Sequence, residues 1–521
     1  MRHAALGAVL SVLLAAPAAA QLPAIGAPRG IVRFEIGGDF ANTNNQFWDG
    51  ASQPWRSQFS ASAIGPSFYP ELASTQSLVA GLSGMGNYAL SIGGATMTTQ
   101  ASVGTLLLGA TVGVTPKLSL FGTVPIVRQG VKLTYAFDST NANAGYNPAD
   151  PVFGTAEGAA ETVAFLAGFA EALDTLGARI ASGYYDGNPT DLALATATLA
   201  SGTAYLAGLD SLFVIPGSAT SFVPLAGSSA GQAMSDSVTT TQTTLAALGI
   251  PSFTLPLPLP AGALTASDYN NYLSSFGGPI AAAPFTDYAS WLLGDIELGA
   301  SYTLIDRWNR PDQPGGLRVV AQGLIRLPTG SQPLSNDFVA LPTGGGQTDL
   351  QGAVIADFGG GRVGVRAAMT YNYQMSATVS ERVTIPSQPI PWRNRLANLS
   401  KSPGNEFGLS ATPYFQLAPG LALVGIVRYW SRAADEVFYA SAADSIPGVS
   451  ASDLAVGTDR TAAVVGGGIS YAPPQTGGRV PLDAFWVYEG VISASGGAVP
   501  KASTIRMGFR VPVRMWGATP D

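Results

Sequence analysis

The sequence predicts a transmembrane β-barrel of about twelve antiparallel strands. The first observation is the last strand-like segment, Ile505–Trp516, whose one face carries Ile, Met, Phe and Val and whose other face carries Arg506, Arg510 and Arg514. The second is that this alternation recurs in eleven earlier segments. The third is that large aromatic residues lie near many segment ends. In a membrane barrel lipid covers the apolar faces, and aromatic side chains form girdles at the two interfaces.

The amino terminus reads as an export signal. Arg2 and His3 precede an apolar run, and Ala18–Ala20 supply the small residues of a cleavage site before Gln21. The apolar run is short for a membrane anchor. We therefore expect residues 1–20 to be a signal peptide that directs the mature chain across the inner membrane of a Gram-negative cell.

Composition excludes several classes of function. The chain has no cysteine, and His3 is its only histidine, so the mature protein lacks the Ser-His-Asp, Cys-nucleophile and common zinc chemistries. We find no phosphate-binding loop and no carboxylate pair at a catalytic spacing, so we expect neither an enzyme nor a bound cofactor or metal. A net charge of −7 with 11% charged residues argues against nucleic acid as a partner. After residue 20 there is no uninterrupted apolar run of about 20 residues, so helical membrane spans are not predicted.

Twelve segments alternate with the period of a strand. They are Val32–Phe40, Ser102–Val114, Leu118–Phe137, Leu293–Leu304, Leu317–Leu327, Leu350–Phe358, Arg362–Arg382, Phe407–Leu417, Leu421–Tyr429, Thr461–Tyr471, Leu482–Ile492 and Ile505–Trp516. An even count suits a bacterial single-chain barrel. A periplasmic amino terminus then places one set of turns in the periplasm: Thr115, Asp306–Pro314, Gly359–Gly361, Pro419 and Pro473–Gly478. The longer loops would face outside.

One region breaks the strand pattern. Residues 138–290 are rich in Ala, Thr and Leu, and three stretches have helical spacing: Ala156–Ile180, Asp191–Leu212 and, more weakly, Gly231–Leu248. Pro251–Pro260 is extended and proline-rich. This insert is too long for a hairpin loop. It is predicted to be an extracellular helical cap or a plug, with a surface decoration as the alternative. The barrel strands would then occupy residues 21–137 and 291–516, and 517–521 would form a tail.

Several short motifs resemble a known family. Gly294–Gly299 reads G-D-I-E-L-G, Arg326–Gly330 ends in L-P-T-G, Gly345–Leu350 leads into a strand, and Thr115–Leu120 precedes Val124 and Pro125. These motifs resemble outer-membrane transporters of the phenol meta-degradation type over about half of the chain. The resemblance implies an outer-membrane barrel that passes small hydrophobic or aromatic compounds.

The polar faces identify the candidate pore-lining residues. The strongest candidates are Arg506, Arg510 and Arg514, and the others are Arg318, Arg326, Arg362, Arg366, Arg428, Asp295, Glu297 and Glu406. Charges of both signs inside a barrel must pair or be hydrated. Two interpretations stay open: the charges interlock as ion pairs in a narrow lumen, or excess arginine lines an aqueous path that favours anionic or polarisable solutes.

The predicted function is passive uptake of small solutes across the outer membrane. The expected partners are outer-membrane lipid, the solute and the barrel-assembly machinery, and the oligomeric state is open. The alternative is a closed structural or adhesive barrel that works through its insert. A soluble β-sandwich enzyme is disfavoured, because water does not tolerate apolar outer faces on so many strands.

Overall fold

A computed structural model describes residues 25–213, 221–307, 316–385, 388–472 and 482–516. The chain divides into two compact units. The first comprises Met1–Gln58, Met97–Thr134 and Ala283–Asp521, and the second comprises Phe59–Thr96 and Tyr135–Ala282. The expected signal peptide, the tail and the predicted turns at 308–314 and 473–478 lie outside the described residues.

The strands follow one another in chain order and most belong to the first unit. They are β1 Ile31–Thr43, β2 Asn45–Trp48, β3 Ala51–Pro54, β4 Gly94–Gly113, β5 Leu118–Asp138, β6 Ala144–Tyr146, β7 Phe222–Pro224, β8 Tyr288–Leu293, β9 Glu297–Asp306, β10 Gly316–Arg326, β11 Asp349–Gly360, β12 Val363–Gln374, β13 Ala377–Arg382, β14 Leu396–Ser402, β15 Glu406–Ala418, β16 Leu421–Arg432, β17 Glu436–Tyr439, β18 Arg460–Tyr471, β19 Asp483–Gly496, β20 Val499–Pro500 and β21 Ser503–Arg514.

Twelve of these strands form one closed antiparallel barrel. The order is β4, β1, β21, β19, β18, β16, β15, β12, β11, β10, β9 and β5, and β5 pairs with β4 to close the ring. The predicted antiparallel barrel of about twelve strands is confirmed for the described residues. Closure removes the unpaired edges that an open sheet would expose. Short turns join successive strands at one end, and Gly420 takes the left-handed φ of 81° that the β15–β16 turn requires.

Two predicted strands differ from the observed ones. The segment Leu293–Leu304 is interrupted: β8 pairs with β5 over Ile126–Val131, and β9 pairs with β5 over Leu118–Thr123. The interruption holds Asp295, whose carboxylate accepts hydrogen bonds from the backbone N–H groups of Gly330 at 2.8 Å and Gly345 at 2.6 Å. The segment Arg362–Arg382 also divides, because after Gln374 the chain leaves the barrel sheet and β13 pairs with β14 in a separate three-stranded sheet with β17.

The second unit is mainly helical. Its helices are α1 Ala73–Ser83, α2 Ala156–Ala181, α3 Pro189–Phe213, α4 Ser229–Ala247 and α5 Ala266–Ser274. The three predicted helices therefore exist, within a few residues of the expected bounds, whereas α1 and α5 were not predicted. Helix α3 is long and apolar enough to span a membrane, and it is the one helix among the described residues that meets this test.

Aromatic packing and capping explain the second unit's local structure. Phe169 on α2 stacks on Phe253 with ring centroids 4.6 Å apart, which explains why the proline-rich segment is ordered there. Thr155 and Ser228 cap α2 and α4 through their side chains, and Thr265 forms a capping box with Asp268 at the start of α5.

Candidate functional site in the barrel lumen

The barrel is inside out relative to a soluble protein. On β21 the apolar side chains face outward, with Met507 44% and Phe509 51% exposed, whereas Arg506 and Arg510 are only 7% and 9% exposed. Phe34 and Ile36 on the neighbouring strand β1 are likewise exposed. An apolar outer face of this extent is stable against lipid rather than water.

Register pairs the arginines of β21 with acids on β1. Asp39 lies directly opposite Arg506, and Glu35 lies directly opposite Arg510. The Nε atoms of the two arginines lie 3.1 Å and 2.8 Å from those carboxylates. Because β1 and β21 are the first and last barrel strands, these ion pairs hold the seam at which the barrel closes.

The pair at Arg506 extends into a longer row. Arg506 also lies 3.4 Å from Glu489 on β19, and Glu489 accepts a hydrogen bond from Arg428 on β16. We call Asp39, Arg506, Glu489 and Arg428 the ion-paired belt. The belt passes over Gly466 on β18, where an added Cβ would lie 2.6 Å from the Cβ of Glu489. The nearest atom to that Cβ would be the Tyr488 carbonyl oxygen, so glycine at this position allows the close approach of β19 at Glu489.

Two further ion-pair groups lie on the other strands. Arg326 on β10 bridges Glu297 on β9 at 2.8 Å and Asp349 on β11 at 2.9 Å. Arg366 on β12 donates two hydrogen bonds to the two carboxylate oxygens of Asp357 on β11, and both side chains are buried. Burial of such groups requires this pairing, since an isolated charge would lose its hydration.

The other predicted residues are placed differently. Arg318 lies near a strand end and contacts the half-exposed Asp306 at 3.3 Å. Arg362 lies exposed in the turn before β12, and Arg514 lies exposed at the end of β21. Glu406 stands opposite Arg432 in the sheet register, while Arg432 itself contacts Asp435 at 2.7 Å. Asp295 binds backbone N–H groups, as described above, and so fixes the interruption between β8 and β9.

Apolar side chains line another part of the inner wall. Ala353, Ile355 and Ala368 form one buried cluster on β11 and β12. Val424, Ile426 and Val487 form a second on β16 and β19. The inner surface therefore combines ion pairs with apolar patches.

The segment before β1 lies inside the barrel. Ile25 packs against the apolar cluster on β11 and β12. The backbone N–H of Ala27 donates to the Ser119 hydroxyl of β5 at 3.0 Å, and the same hydroxyl donates to the Ala27 carbonyl at 3.1 Å. Arg33 donates to the Gly26 carbonyl at 3.1 Å. Because β9 and β10 lie between β5 and β11 in the wall, residues 25–27 lie along the inner face of these strands.

The segment after β1 also folds against the inner wall. Phe47 on β2 packs against inward side chains of β18 and β19. Trp55, which is 1% exposed, packs against Ala101 and Val103 of β4 and Val127 and Val131 of β5. Val339 and Leu341, from the connection between β10 and β11, join the same cluster.

Sequence reasoning missed these lumen segments. Residues 25–27 and 45–56 have no strand-like alternation, and the residues they contact are distant in sequence. One available indication was Val127 and Val131, which place apolar residues beside Gln129 on the inward, otherwise polar face of a predicted strand.

Comparisons with known proteins find similarity in structure but not in sequence. No protein-family model matches the chain, and no curated protein matches it. An outer-membrane channel from Pseudomonas putida F1 aligns over 94% of this chain and 97% of its own, with 8% identity and a TM-score of 0.41. The toluene transporter TbuX of Ralstonia pickettii aligns over 94% and 90%, with 10% identity and a TM-score of 0.29. The toluene transporter TodX of P. putida aligns over 94% and 92%, with 10% identity and a TM-score of 0.28. The chain is thus similar to outer-membrane channels.

Proposed function

We propose that the chain is an outer-membrane channel for passive uptake of small hydrophobic or aromatic solutes. The observation that carries the proposal is the closed barrel with an apolar outer face and a polar, partly apolar inner wall. Such a surface supports a membrane location, and in this proposal residues 1–20 and the barrel-assembly machinery deliver the chain to the outer membrane.

The lumen is the route that the proposal assigns to the solute. Apolar patches such as Ala353, Ile355 and Ala368 favour an apolar solute, and the paired charges hold the wall without attracting free ions. Residues 25–27 obstruct this route, since they contact both β5 and β11. Uptake therefore requires that this amino-terminal segment move.

A reversible crosslink tests the route. An added Cβ at Gly26 would lie 3.8 Å from the Cβ of Ser119, the separation typical of a disulfide. The chain has no cysteine, so Gly26→Cys with Ser119→Cys introduces a single pair. We expect oxidised cells to take up radiolabelled benzyl alcohol no faster than cells without the protein, and a reductant to restore the rate. Each single substitution is the matched control.

Unchanged uptake by the crosslinked variant would contradict the proposed route. If the oxidised double variant, with its crosslink confirmed by mass, takes up the alcohol as fast as the reduced one, the proposed route, in which residues 25–27 must move, is wrong. Replacement of Ala156–Pro260 by a short Gly-Ser loop tests separately whether the helical insert is a cap or plug. If the insert is a cap or plug, single-channel conductance in a planar bilayer should rise when it is replaced.

A further inference from the structure

Arg56 is a buried arginine without an acidic partner. It is 2% exposed, and no carboxylate lies within ion-pair distance of it among the described residues. Its Nη1 donates to the Phe338 carbonyl, while its Nε has no hydrogen-bond partner. Asp337 acts on it only at longer range, and the Oδ1 atom of that carboxylate accepts from the backbone N–H groups of Val339 and Ala340. A buried cation of this kind is costly unless something supplies a negative charge.

Arg56 is held against Trp55 by a strained backbone. Its φ is 59°, a conformation that costs free energy for a residue other than glycine. Its guanidinium carbon lies 4.6 Å from the centroid of the Trp55 ring. Trp55 is fixed in turn, because the Thr99 hydroxyl donates to its carbonyl at 2.7 Å. The fold thus maintains this cation inside the barrel at an energetic cost.

Several buried hydrogen-bond donors on Trp55 and on strands β4, β5 and β8 have no partner within the described chain. Within the described chain, no acceptor or donor is found for the side-chain atoms Trp55 Nε1, Thr105 Oγ1, Gln129 Nε2 and Ser290 Oγ, all of which are buried. Such atoms are rare in native proteins, and each calls for an explanation.

Strand register brings these side chains together. Gln129 on β5 stands directly opposite Ser290 on β8. The Ser102 hydroxyl donates to the Gly130 carbonyl, which aligns β4 with β5 so that Thr105 and Gln129 lie on the same inward face. Trp55 packs against Val127 and Val131, the two residues that flank Gln129 on that face.

The orientation of the Gln129 amide is determined by its neighbours. The Tyr288 hydroxyl accepts from the Leu341 N–H at 2.8 Å, so its own proton goes to Gln129 Oε1, 2.6 Å away. The Nε2 group is therefore the free end, and it can only donate. The Trp55 indole and the Arg56 guanidinium also only donate. The site offers a positive charge and several donors, beside the apolar side chains of Val103, Val127 and Val131.

We infer that Trp55, Arg56, Thr105, Gln129 and Ser290 form a binding site for a carboxylate carried on a small apolar body. The carboxylate accepts from the Nε side of Arg56 and from the neighbouring donors, and the apolar body lies against the valines of β4 and β5. This Trp55 site rests on the proposed function, since it selects one class among the solutes that the channel passes.

Calorimetric titration of the full-length protein in lipid nanodiscs tests the site, with empty nanodiscs subtracted. Benzoate carries the charge and the ring, benzyl alcohol lacks the charge, acetate lacks the ring, and inorganic phosphate is a different anion. We expect benzoate to bind about tenfold more tightly than each of the other three, which is the effect of one charge-assisted hydrogen bond.

Two variants and one control test whether benzoate binds at the Trp55 site rather than elsewhere on the protein. Arg56→Gln should weaken benzoate binding about tenfold and leave benzyl alcohol unchanged. Gln129→Leu, on a regular strand, should weaken benzoate less and provides a second test if Arg56→Gln does not fold. Arg179→Gln is the matched control, because Arg179 in the second unit also lies over an aromatic ring, 4.8 Å from Tyr184, and donates its Nη1 to a backbone carbonyl.

Equal affinities for benzoate and benzyl alcohol, or equal benzoate affinity in wild type and both variants, would overturn the inference. Preferential binding of phosphate would assign the site to another anion and would also overturn it. The crosslink experiment does not depend on these titrations. If binding fails while the crosslink still blocks uptake, the channel stands without the Trp55 site; if the crosslink has no effect, the proposed function falls.

Discussion

The ion-paired belt and the Trp55 site both place arginine inside the barrel, but they differ in what the arginine faces. Arg506 contacts Asp39 and Glu489, and Arg428 contacts Glu489. Arg56 has a backbone carbonyl and an indole ring instead. Buried arginines in one barrel therefore have different roles. An arginine whose charge the wall neutralises holds strands together, whereas one whose charge the wall leaves unpaired is available to a solute.

The largest decrease in the free energy of unfolding is expected when an arginine of the ion-paired belt is replaced. Arg506→Met leaves Asp39 buried without its cation and leaves Glu489 with Arg428 alone, and should lower the free energy of unfolding by about 3–5 kcal/mol. Urea unfolding in detergent, followed by tryptophan fluorescence, measures the change. Pairing the substitution with Asp39→Asn should recover part of the loss. A change no larger than that of an exposed substitution such as Arg514→Met would show that the belt does not stabilise the barrel.

A smaller decrease in the free energy of unfolding is expected from a substitution of Gly466 on β18. Gly466→Ala brings a Cβ to 2.6 Å from the Glu489 Cβ and should cost about 1–3 kcal/mol through overpacking. Gly352→Ala on β11 is the control, because an added Cβ there meets no atom within 4 Å. The same unfolding assay compares them. Equal stability of the two variants would contradict the close approach of β19 to Gly466.

The smallest change in the free energy of unfolding is expected when Arg56 is replaced. Arg56→Met removes a buried charge that has no acidic partner, and this relieves the cost of burying that charge. It also removes one hydrogen bond and a ring contact, and the stability lost with them nearly offsets the stability gained. We expect the free energy of unfolding to change by less than about 1 kcal/mol, the typical value of a single hydrogen bond. A loss as large as that of Arg506→Met would mean that Arg56 is structural, and the contrast between the two regions would disappear.

Local pattern was enough to predict the barrel strands and three helices. On β21 the alternation of Met507 and Phe509 with Arg506 and Arg510 specified both faces, because side chains of a strand alternate strictly. On α2 the helical spacing and the Thr155 cap are both visible in sequence. Predictions of this kind depend on neighbours within a few residues.

Contacts distant in sequence account for the parts that were not predicted. The interruption at Asp295 depends on Gly330 and Gly345, which lie 35 and 50 residues away. The lumen segment at Ile25 depends on β11 and β12, and the Trp55 site depends on β4, β5 and β8. Among the candidate residues, the sequence identified the arginines but not their partners. It could not distinguish Arg506 in the belt from the exposed Arg514 at the strand end.

The most direct test of the account is a crystal structure of the protein soaked with 4-bromobenzoate, in which anomalous scattering locates the bromine. We expect a bromine peak beside Val103 and Val127, with the carboxylate within hydrogen-bond distance of Arg56 Nε. A peak beside Arg506 or Arg428 with none at Arg56, or no peak inside the barrel, would contradict the claim that unpaired rather than paired arginine receives the solute.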